Sequence, residues 1–321
     1  YIPKCSDNHI STKTMITYLN QVIDLDSVFW SLPVIDYHEQ REGIIKKQMK
    51  VTTHKQEDTE DIADRLSRER HGSTHIIQFI NNNSGHSTTK YKHTQKITVG
   101  LSSKQLLTTR TKEKSAFYNC FAIVMRIKYN GIFREIHMKV FNTGKMEVPG
   151  IQSNDMLHIA MERLLLVMQP LVPSIIDYDK ENLNNVLINS NFSCNYHINR
   201  DKLFNILKTK YNMICNYDAC TYPGIKCKFY YNFNKAPENN KGICCCEKQC
   251  SKRGNGKGEG QCVEVSVMIF RTGSILVVGN CDEDVLSVIY QYFKNILLDE
   301  YLDIMKHPCD IVVKESKHIS K

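Results

Sequence analysis

The feature that most constrains the fold of this chain is an internal repeat, because a duplicated segment implies that one structural unit is built twice. Residues 141–150 read Phe-Asn-Thr-Gly-Lys-Met-Glu-Val-Pro-Gly and residues 270–279 read Phe-Arg-Thr-Gly-Ser-Ile-Leu-Val-Val-Gly, so that five of ten positions coincide. Each block follows an alternating stretch, at 135–140 and 263–269, which is typical of a strand buried on one face. The shared Thr-Gly pair predicts a tight turn into another strand.

The segments around the two blocks match as well. Each block is followed by a helical pattern, at 154–168 and 282–298, and Asp282 is a fair N-cap for the second helix. Each copy predicts a strand, a helix, two strands, a further strand and a long helix. We therefore predict repeats at 9–172 and 184–302, with a polar tail at 303–321. Insertions at about 46–114 and 235–262 break the symmetry, and the charged run at 54–71 is typical of a solvated helix face or a mobile loop.

Composition narrows the class of function only a little. The 321 residues include 42 Lys and Arg against 34 Asp and Glu, and the net charge of +8 is compatible with a nucleic-acid partner. It is equally compatible with a protein that has surplus surface lysine. No apolar run approaches the roughly 20 residues of a membrane span, so we expect no membrane partner. We find no P-loop, GxSxG or HExxH motif in the sequence and therefore do not expect an enzyme.

Cysteine is abundant and unevenly placed. The odd number of 13 argues for thiol or metal chemistry in a reducing compartment. Eight cysteines are scattered, and most of these are expected to be small buried hydrophobic residues. The other five lie in a Gly-rich loop, where Cys244, Cys246, Cys250 and Cys262 form the simplest set for a tetrahedral structural zinc ion. Cys245 can replace a neighbour as ligand, and a flexible insertion with free thiols or disulfides is the alternative.

Both repeats resemble the TATA-box-binding protein family. Residues 121–127 and 139–146 are similar to its first repeat, where the family reads close to FAAVIMRI and ALIFSSGKMVCTG. Residues 217–224 and 268–274 are similar to its second repeat, YEPELFPG and LLIFVSGKVVLTG. The resemblance covers roughly 11–45, 115–170 and 186–302. The large insertions and the stretch 118–121 are more like the divergent homologues of large nucleocytoplasmic DNA viruses.

The resemblance implies an α+β fold, a pseudo-twofold saddle in which a curved antiparallel sheet carries helices on its convex face. It also implies a transcription initiation factor that binds and bends double-stranded promoter DNA through the minor groove. The partners that it implies are a IIB-type transcription factor and RNA polymerase. Such proteins wedge apolar side chains between base steps. Sites rich in A·T pairs suit this, because minor-groove readout mostly separates A·T from G·C and TA steps deform easily.

The family's wedge residues can be carried over position by position. Phe141 and Phe270 match one member of each intercalating pair, and Tyr222 stands where the second half has its other Phe. In the first half Cys120 falls at that position and Phe121 one residue later. Because a slip of one residue moves a side chain to the other face of a sheet, either a bulge presents Phe121 or this wedge is missing.

Polar contacts carry over less completely. Arg126 and Lys145 match phosphate contacts, Lys228 is expected at the position equivalent to Arg126, and Ser274 replaces the counterpart of Lys145. At the central minor-groove contacts, Thr12 and Leu187 align with the family's two Asn, and Asn189 can substitute if one gap is allowed. Pro149 and Val278 replace the family's paired Thr. At the partner contact, Asp218 keeps one acid of the IIB-facing loop.

The positions at which the sequence differs from the family pattern favour an alternative function. A saddle-fold scaffold for protein interactions, in a transcription complex or a virion and without specific DNA binding, is favoured by the lost Asn and Thr contacts. The basic and aromatic positions favour DNA binding instead. A host cytoplasmic virus factory, the nucleus and the virion all stay open as the place of action.

Overall fold

The computed structural model describes residues 3–82, 90–107 and 117–306. They form two compact units, which we call the N-terminal unit (the described residues within 14–184) and the C-terminal unit (the described residues within 3–13 and 185–306). None of the helices in the described ranges is long and apolar enough to cross a membrane. The predicted tail at 303–321 lies outside the described residues from 307 onward.

The N-terminal unit is an antiparallel sheet with helices. Its strands are β1 (His9–Tyr18, the last part of which belongs to this unit), β2 (Gly43–Thr53), β3 (Ser73–Asn82), β4 (Lys90–Gly100), β5 (Cys120–Tyr129), β6 (Ile132–Phe141) and β7 (Lys145–Ile151). Its helices are α1 (Leu25–Ser31), α2 (Gln56–Ser67), α3 (Ser103–Leu107) and α4 (Asn154–Met168). The strands lie in the order β3-β4-β2-β5-β6-β7-β1.

The C-terminal unit repeats this plan in shorter form. Its strands are β8 (Asn184–Ser193), β9 (Ile214–Asn216), β10 (Gly224–Tyr231), β11 (Val263–Phe270) and β12 (Ser274–Gly279), in the order β8-β12-β11-β10-β9. Its helices are α5 (Arg200–Thr209), α6 (Glu283–Asp299) and α7 (Tyr301–Ile304). The predicted α+β class, with antiparallel sheets and helices packed on them, is confirmed.

Each sheet buries one face, which we call the core face, against its helices. In β5 the alternate residues Phe121, Ile123, Met125 and Ile127 are all essentially inaccessible and pack with α1 and α4. In β11 the core-face residues are Val265, Val267 and Ile269. Because side chains alternate along a strand, the residues between them lie on the opposite face. That opposite face carries most of the residues that the resemblance assigns to DNA.

The long helices follow the predicted periodicity. In α4 the side chain of Ser153 caps the first turn by accepting from the Met156 amide, at 3.2 Å. Asp282 caps α6 as predicted and accepts from the Val285 amide at 2.7 Å. Such caps satisfy donors that the first helical turn leaves free. The apolar stripes that pack on the sheets are Leu157, Ala160, Met161, Leu164 and Met168 in α4, and Val285, Leu286, Ile289, Phe293 and Ile296 in α6.

The structure adds one strand to each repeat between the first helix and the next predicted strand. These are β2, which pairs with β5, and β9, which pairs with β10. Strand β2 pairs with β5 from Gly43 to Met49, so it runs past residue 46, where the first insertion was predicted to begin. Three-residue β9 is too short to give an alternating signal. The charged run at 54–71 contains α2, whose Ile62 and Leu66 are buried.

Candidate nucleic-acid interface and cysteine cluster

Aromatic rings and lysines lie together on the opposite face of the N-terminal unit. Phe141 ends β6, and the Nζ atom of Lys145 lies 5.4 Å from its ring centre. Just before β5, Phe117 and Tyr118 are exposed by 61% and 58%. The Nζ atoms of Lys139 and Lys50 lie 5.3 Å and 3.7 Å from the ring centres of Phe117 and Tyr118. We call these six residues the N-terminal aromatic cluster, which combines faces for base stacking with cations for phosphate.

Of the two alternatives for the first-half wedge, the one in which a bulge presents Phe121 is wrong. Phe121 is fully buried on the core face, and its ring centre lies 6.1 Å from that of Phe29. The register of β5 is continuous there, with Cys120 directly opposite Phe141, so no bulge turns Phe121 outward. Phe117 and Tyr118 supply the exposed rings instead. The signal that could have found them is the pair of aromatic residues immediately before the strand.

The C-terminal unit holds a second group of rings at the corresponding hairpin. The ring centres of Tyr222 and Phe270 lie 6.0 Å apart, and the Nζ atom of Lys226 lies 4.2 Å from that of Tyr222. The Tyr222 hydroxyl donates to the sulfur of Met268 at 3.2 Å, which gives the polar end of this ring a partner. Gly224 lies opposite Phe270, and a Cβ there would come within 3.0 Å of the Tyr222 ring and 3.1 Å of the Phe270 ring. Tyr222, Phe270, Lys226 and Met268 form the C-terminal aromatic cluster.

Arg126 does not have the geometry of a free phosphate contact. Its guanidinium donates to the backbone carbonyls of Glu39, at 2.6 Å, and Tyr37, at 2.8 Å, and lies 4.9 Å from the Tyr37 ring centre. The side chain is buried beneath the segment 33–42, in which Ile35 and Tyr37 pack on Val124. Arg126 therefore anchors this segment to the sheet. A contact between residues almost 90 positions apart leaves no local sequence signal.

Lys228 is only half exposed and is ion-paired. Its Nζ atom contacts Glu264 and also lies 3.3 Å from the Ser266 hydroxyl. The prediction that Lys228 is the structural equivalent of Arg126 is wrong. Arg126 lies opposite Glu135, six residues before Phe141, whereas Lys228 lies opposite Ser266, four residues before Phe270. A difference of two residues keeps the side chain on the same face, so counting along the chain does not reveal it.

The remaining predicted positions lie on or beside the sheets. Asn189 is half-buried on β8, directly opposite Val278 of β12, and Thr12 is half-buried on β1. Asp218 is exposed, and its carboxylate accepts from the Thr221 hydroxyl at 2.8 Å and the Cys220 amide at 3.0 Å. These bonds lower the pKa of Asp218. The acid therefore stays charged and fixes the turn that leads to Tyr222.

The four cysteines chosen from the sequence come together. The sulfurs of Cys244, Cys246, Cys250 and Cys262 all lie within 4.8 Å of one another and are buried. The Cys244–Cys250 and Cys246–Cys262 sulfur pairs are each 3.5 Å apart. Tetrahedral zinc with bonds of about 2.3 Å would hold its sulfurs about 3.8 Å apart, so the donor set and spacing fit a metal ion. Cys245 is exposed and accepts from Lys235, outside the cluster.

Glycine and a tyrosine shape this cluster. A Cβ at Gly258 would lie 2.3 Å from the Cβ of Cys250, so only glycine fits beside the sulfurs. The Gly260 amide donates to the Cys246 sulfur at 3.1 Å and holds this part of the loop against the cluster. Burial raises the pKa of the Cys262 thiol. Several buried thiolates are therefore unfavourable at this place unless a cation lies among them. Tyr230 of β10 packs against the four cysteines, and its hydroxyl donates to Glu264 at 3.3 Å.

Comparison with known proteins identifies a curated relative and a solved structure that are similar to this chain. No family model matches the chain. A TATA-box-binding protein-like protein of Acanthamoeba polyphaga mimivirus is 23% identical over 216 residues, which are 63% of this chain and 54% of the relative. The chain thus spans about half the length of the curated relative that it matches. Among solved structures, Methanococcus jannaschii TBP aligns over 90% of this chain and 98% of its own, with 11% identity and a TM-score of 0.40. The resemblance that the two repeats predict is confirmed, and this chain is similar to the TATA-box-binding protein-like proteins.

Proposed function

We propose that the chain is a transcription initiation factor that binds and bends double-stranded promoter DNA through the minor groove. The observation that carries the proposal is the pair of aromatic clusters, which lie at the same hairpin of each repeat on the face opposite the helices. In this role Phe141, Phe270 and Tyr222 enter between base steps. Unstacking a step costs a few kcal/mol, and the additional protein surface that a bent duplex can contact offsets this cost.

The lysines of the clusters complete this interface. Lys145 and Lys226 each lie over the ring that would enter the duplex, so their ammonium groups would follow the ring to the phosphates that flank the groove. Phe117, exposed beside Lys139, replaces the missing wedge of the first half in the proposal. Arg126 has no direct part, since its donors are committed to backbone carbonyls.

The same proposal includes a partner and a metal. The exposed turn around Asp218 precedes Tyr222 and is the surface that we assign to a IIB-type factor, which would bring RNA polymerase to the promoter. The four buried sulfurs would hold one structural zinc ion. With four thiolates the coordination is closed, so the ion would stabilise the loop at 235–262 and take no part in chemistry.

Replacing either Lys145 or Lys226 with Ala is expected to weaken binding to an A·T-rich duplex and to reduce the slope of log Kd against log salt by about one. Each substitution removes one cation from the interface. Fluorescence anisotropy over a series of salt concentrations measures both effects. Lys208→Ala is the matched control. Its Nζ atom also lies over an aromatic ring, 5.2 Å from the ring centre of Phe204, but both residues are on α5 and belong to neither cluster.

The scaffold function is the second candidate, and two ion pairs favour it. Lys139 is paired with Glu147 at 2.6 Å and Lys228 with Glu264, so two of the lysines on the proposed interface already have a carboxylate partner. If Lys145→Ala and Lys226→Ala bind the duplex with the same salt slope as Lys208→Ala, the interface is not used for DNA. The scaffold then becomes the better account.

A further inference from the structure

The edge of the C-terminal sheet holds a pair of thiols that the cysteine cluster does not use. Strand β9 pairs with β10 in antiparallel register, and Cys215 lies directly opposite Cys227. Their sulfurs are 3.2 Å apart, although the residues are 12 positions apart in the chain. Directly opposed residues in antiparallel strands have Cα atoms about 4.5–5.5 Å apart, which is within the range that a disulfide spans. Closing the bond to about 2.05 Å needs only a small side-chain movement.

The two thiols differ in environment in a way that suits sequential reaction. Cys227 is buried in the C-terminal core, whereas Cys215 lies half-buried in the short edge strand. The hydrogen bond with the Cys227 thiol lowers the pKa of Cys215, and nearby Lys208 acts in the same direction. The hydrogen bond with Cys215, together with burial, raises the pKa of Cys227. Cys215 is therefore the thiol that is both accessible and more readily ionised.

We propose that Cys215 and Cys227 form a cross-strand disulfide when the protein meets a low-molecular-weight disulfide such as glutathione disulfide. The Cys215 thiolate attacks one sulfur of the oxidant, breaks its S–S bond and releases one glutathione thiolate. Cys227 loses its proton to water and attacks the Cys215 sulfur of the mixed disulfide, which releases the second glutathione thiolate. Two protein thiols are oxidised to one disulfide, and the glutathione disulfide is reduced to two glutathione molecules.

The bond would act on the most weakly held strand of this unit. Strand β9 has three residues, pairs with a single neighbour at the sheet edge and leads into the turn of Asp218 and Tyr222. Edge strands of this kind open locally at low cost in free energy. A covalent link to β10 would hold β9 in the sheet. Oxidation would thereby reduce opening at Ile214–Asn216.

The full chain, loaded with zinc to occupy the other clustered thiols, is incubated in glutathione buffers of graded ratio, alkylated in acid and mapped by peptide mass spectrometry. We expect a species two hydrogens lighter than the reduced chain, with the peptides of Cys215 and Cys227 linked. Hydrogen exchange at the amides of Ile214–Asn216 should slow in that species. Cys220→Ser, a change at an exposed cysteine five residues away, should leave the link intact, whereas Cys227→Ser should abolish it.

Two results would overturn the proposal. One is that Cys215 and Cys227 remain reduced, and are fully alkylated afterwards, in a buffer that oxidises Cys220 to its mixed disulfide. The other is that Cys215 links to Cys220 or to the 244–262 loop as readily as to Cys227. Because the wild-type chain gives the decisive readout, the experiment does not depend on whether the Cys227→Ser variant folds.

Discussion

The double substitution Phe141→Ala and Phe270→Ala is expected to lower the affinity for an A·T-rich duplex by at least about 30-fold. Stacking of an aromatic side chain on a base contributes about 1–3 kcal/mol, so two independent losses amount to about 2–6 kcal/mol, and the lower limit corresponds to that factor. Both rings are half-buried on the face opposite the helices. Their removal therefore opens no cavity in either core.

Fluorescence anisotropy with a labelled duplex measures this change, and each single substitution should give an intermediate loss. Phe233→Ala is the matched control. This exposed ring packs edge-on against Tyr231 of the C-terminal core, with ring centres 5.0 Å apart, and belongs to neither aromatic cluster. An equal loss in the control and in the double variant would show that the effect does not come from wedging.

If the four cysteines hold zinc as proposed, Cys250→Ser is expected to release the ion and to destabilise the C-terminal unit. Cys250 is completely buried among the other three sulfurs, so a serine hydroxyl leaves the ion with three thiolates. Zinc binding in small zinc-finger peptides contributes about 10–16 kcal/mol at pH 7. Losing even about 2 kcal/mol of stabilisation lowers the Tm of a unit of this size by about 4–8 °C.

Metal analysis of the purified protein and thermal melting with and without chelator measure both effects. Cys245→Ser is the control, because that thiol is exposed and outside the four-sulfur set. It should retain one zinc per chain and an unchanged Tm. Reduced wild-type protein that contains no zinc, and whose melting does not respond to chelation, would contradict the assignment.

Much of the fold was predictable because its signals are local. The alternation in β6 and β11 indicated which side chains face the core, and the periodicity of α4 and α6 indicated the buried helix faces. The choice of Cys244, Cys246, Cys250 and Cys262 also followed from local density, since Gly permits the close turns that bring thiols together. Three-residue β9 lies below the length at which alternation can be recognised.

The site itself was only partly predictable, because the contacts that decide it join distant segments. The sequence does not show that the segment 33–42 covers Arg126, nor that Glu264 pairs with Lys228. The strand register is also hidden in the sequence. A two-residue offset between the repeats leaves every side chain on its expected face, so the pattern of apolar residues does not reveal it. Cys215 and Cys227 were expected to be ordinary buried residues, and only strand pairing reveals that they are neighbours.

The most direct test of the account is the end-to-end distance of an A·T-rich duplex when this protein binds. Fluorescence resonance energy transfer between dyes at the two ends reports that distance. Wedging at both clusters predicts higher transfer with the wild-type chain, as expected for kinks of about 20–90°, and a clearly smaller increase with the Phe141→Ala and Phe270→Ala variant, which keeps only Tyr222 and Phe117. Tight binding by the wild-type chain with unchanged transfer, or equal affinity for single strands, would contradict it.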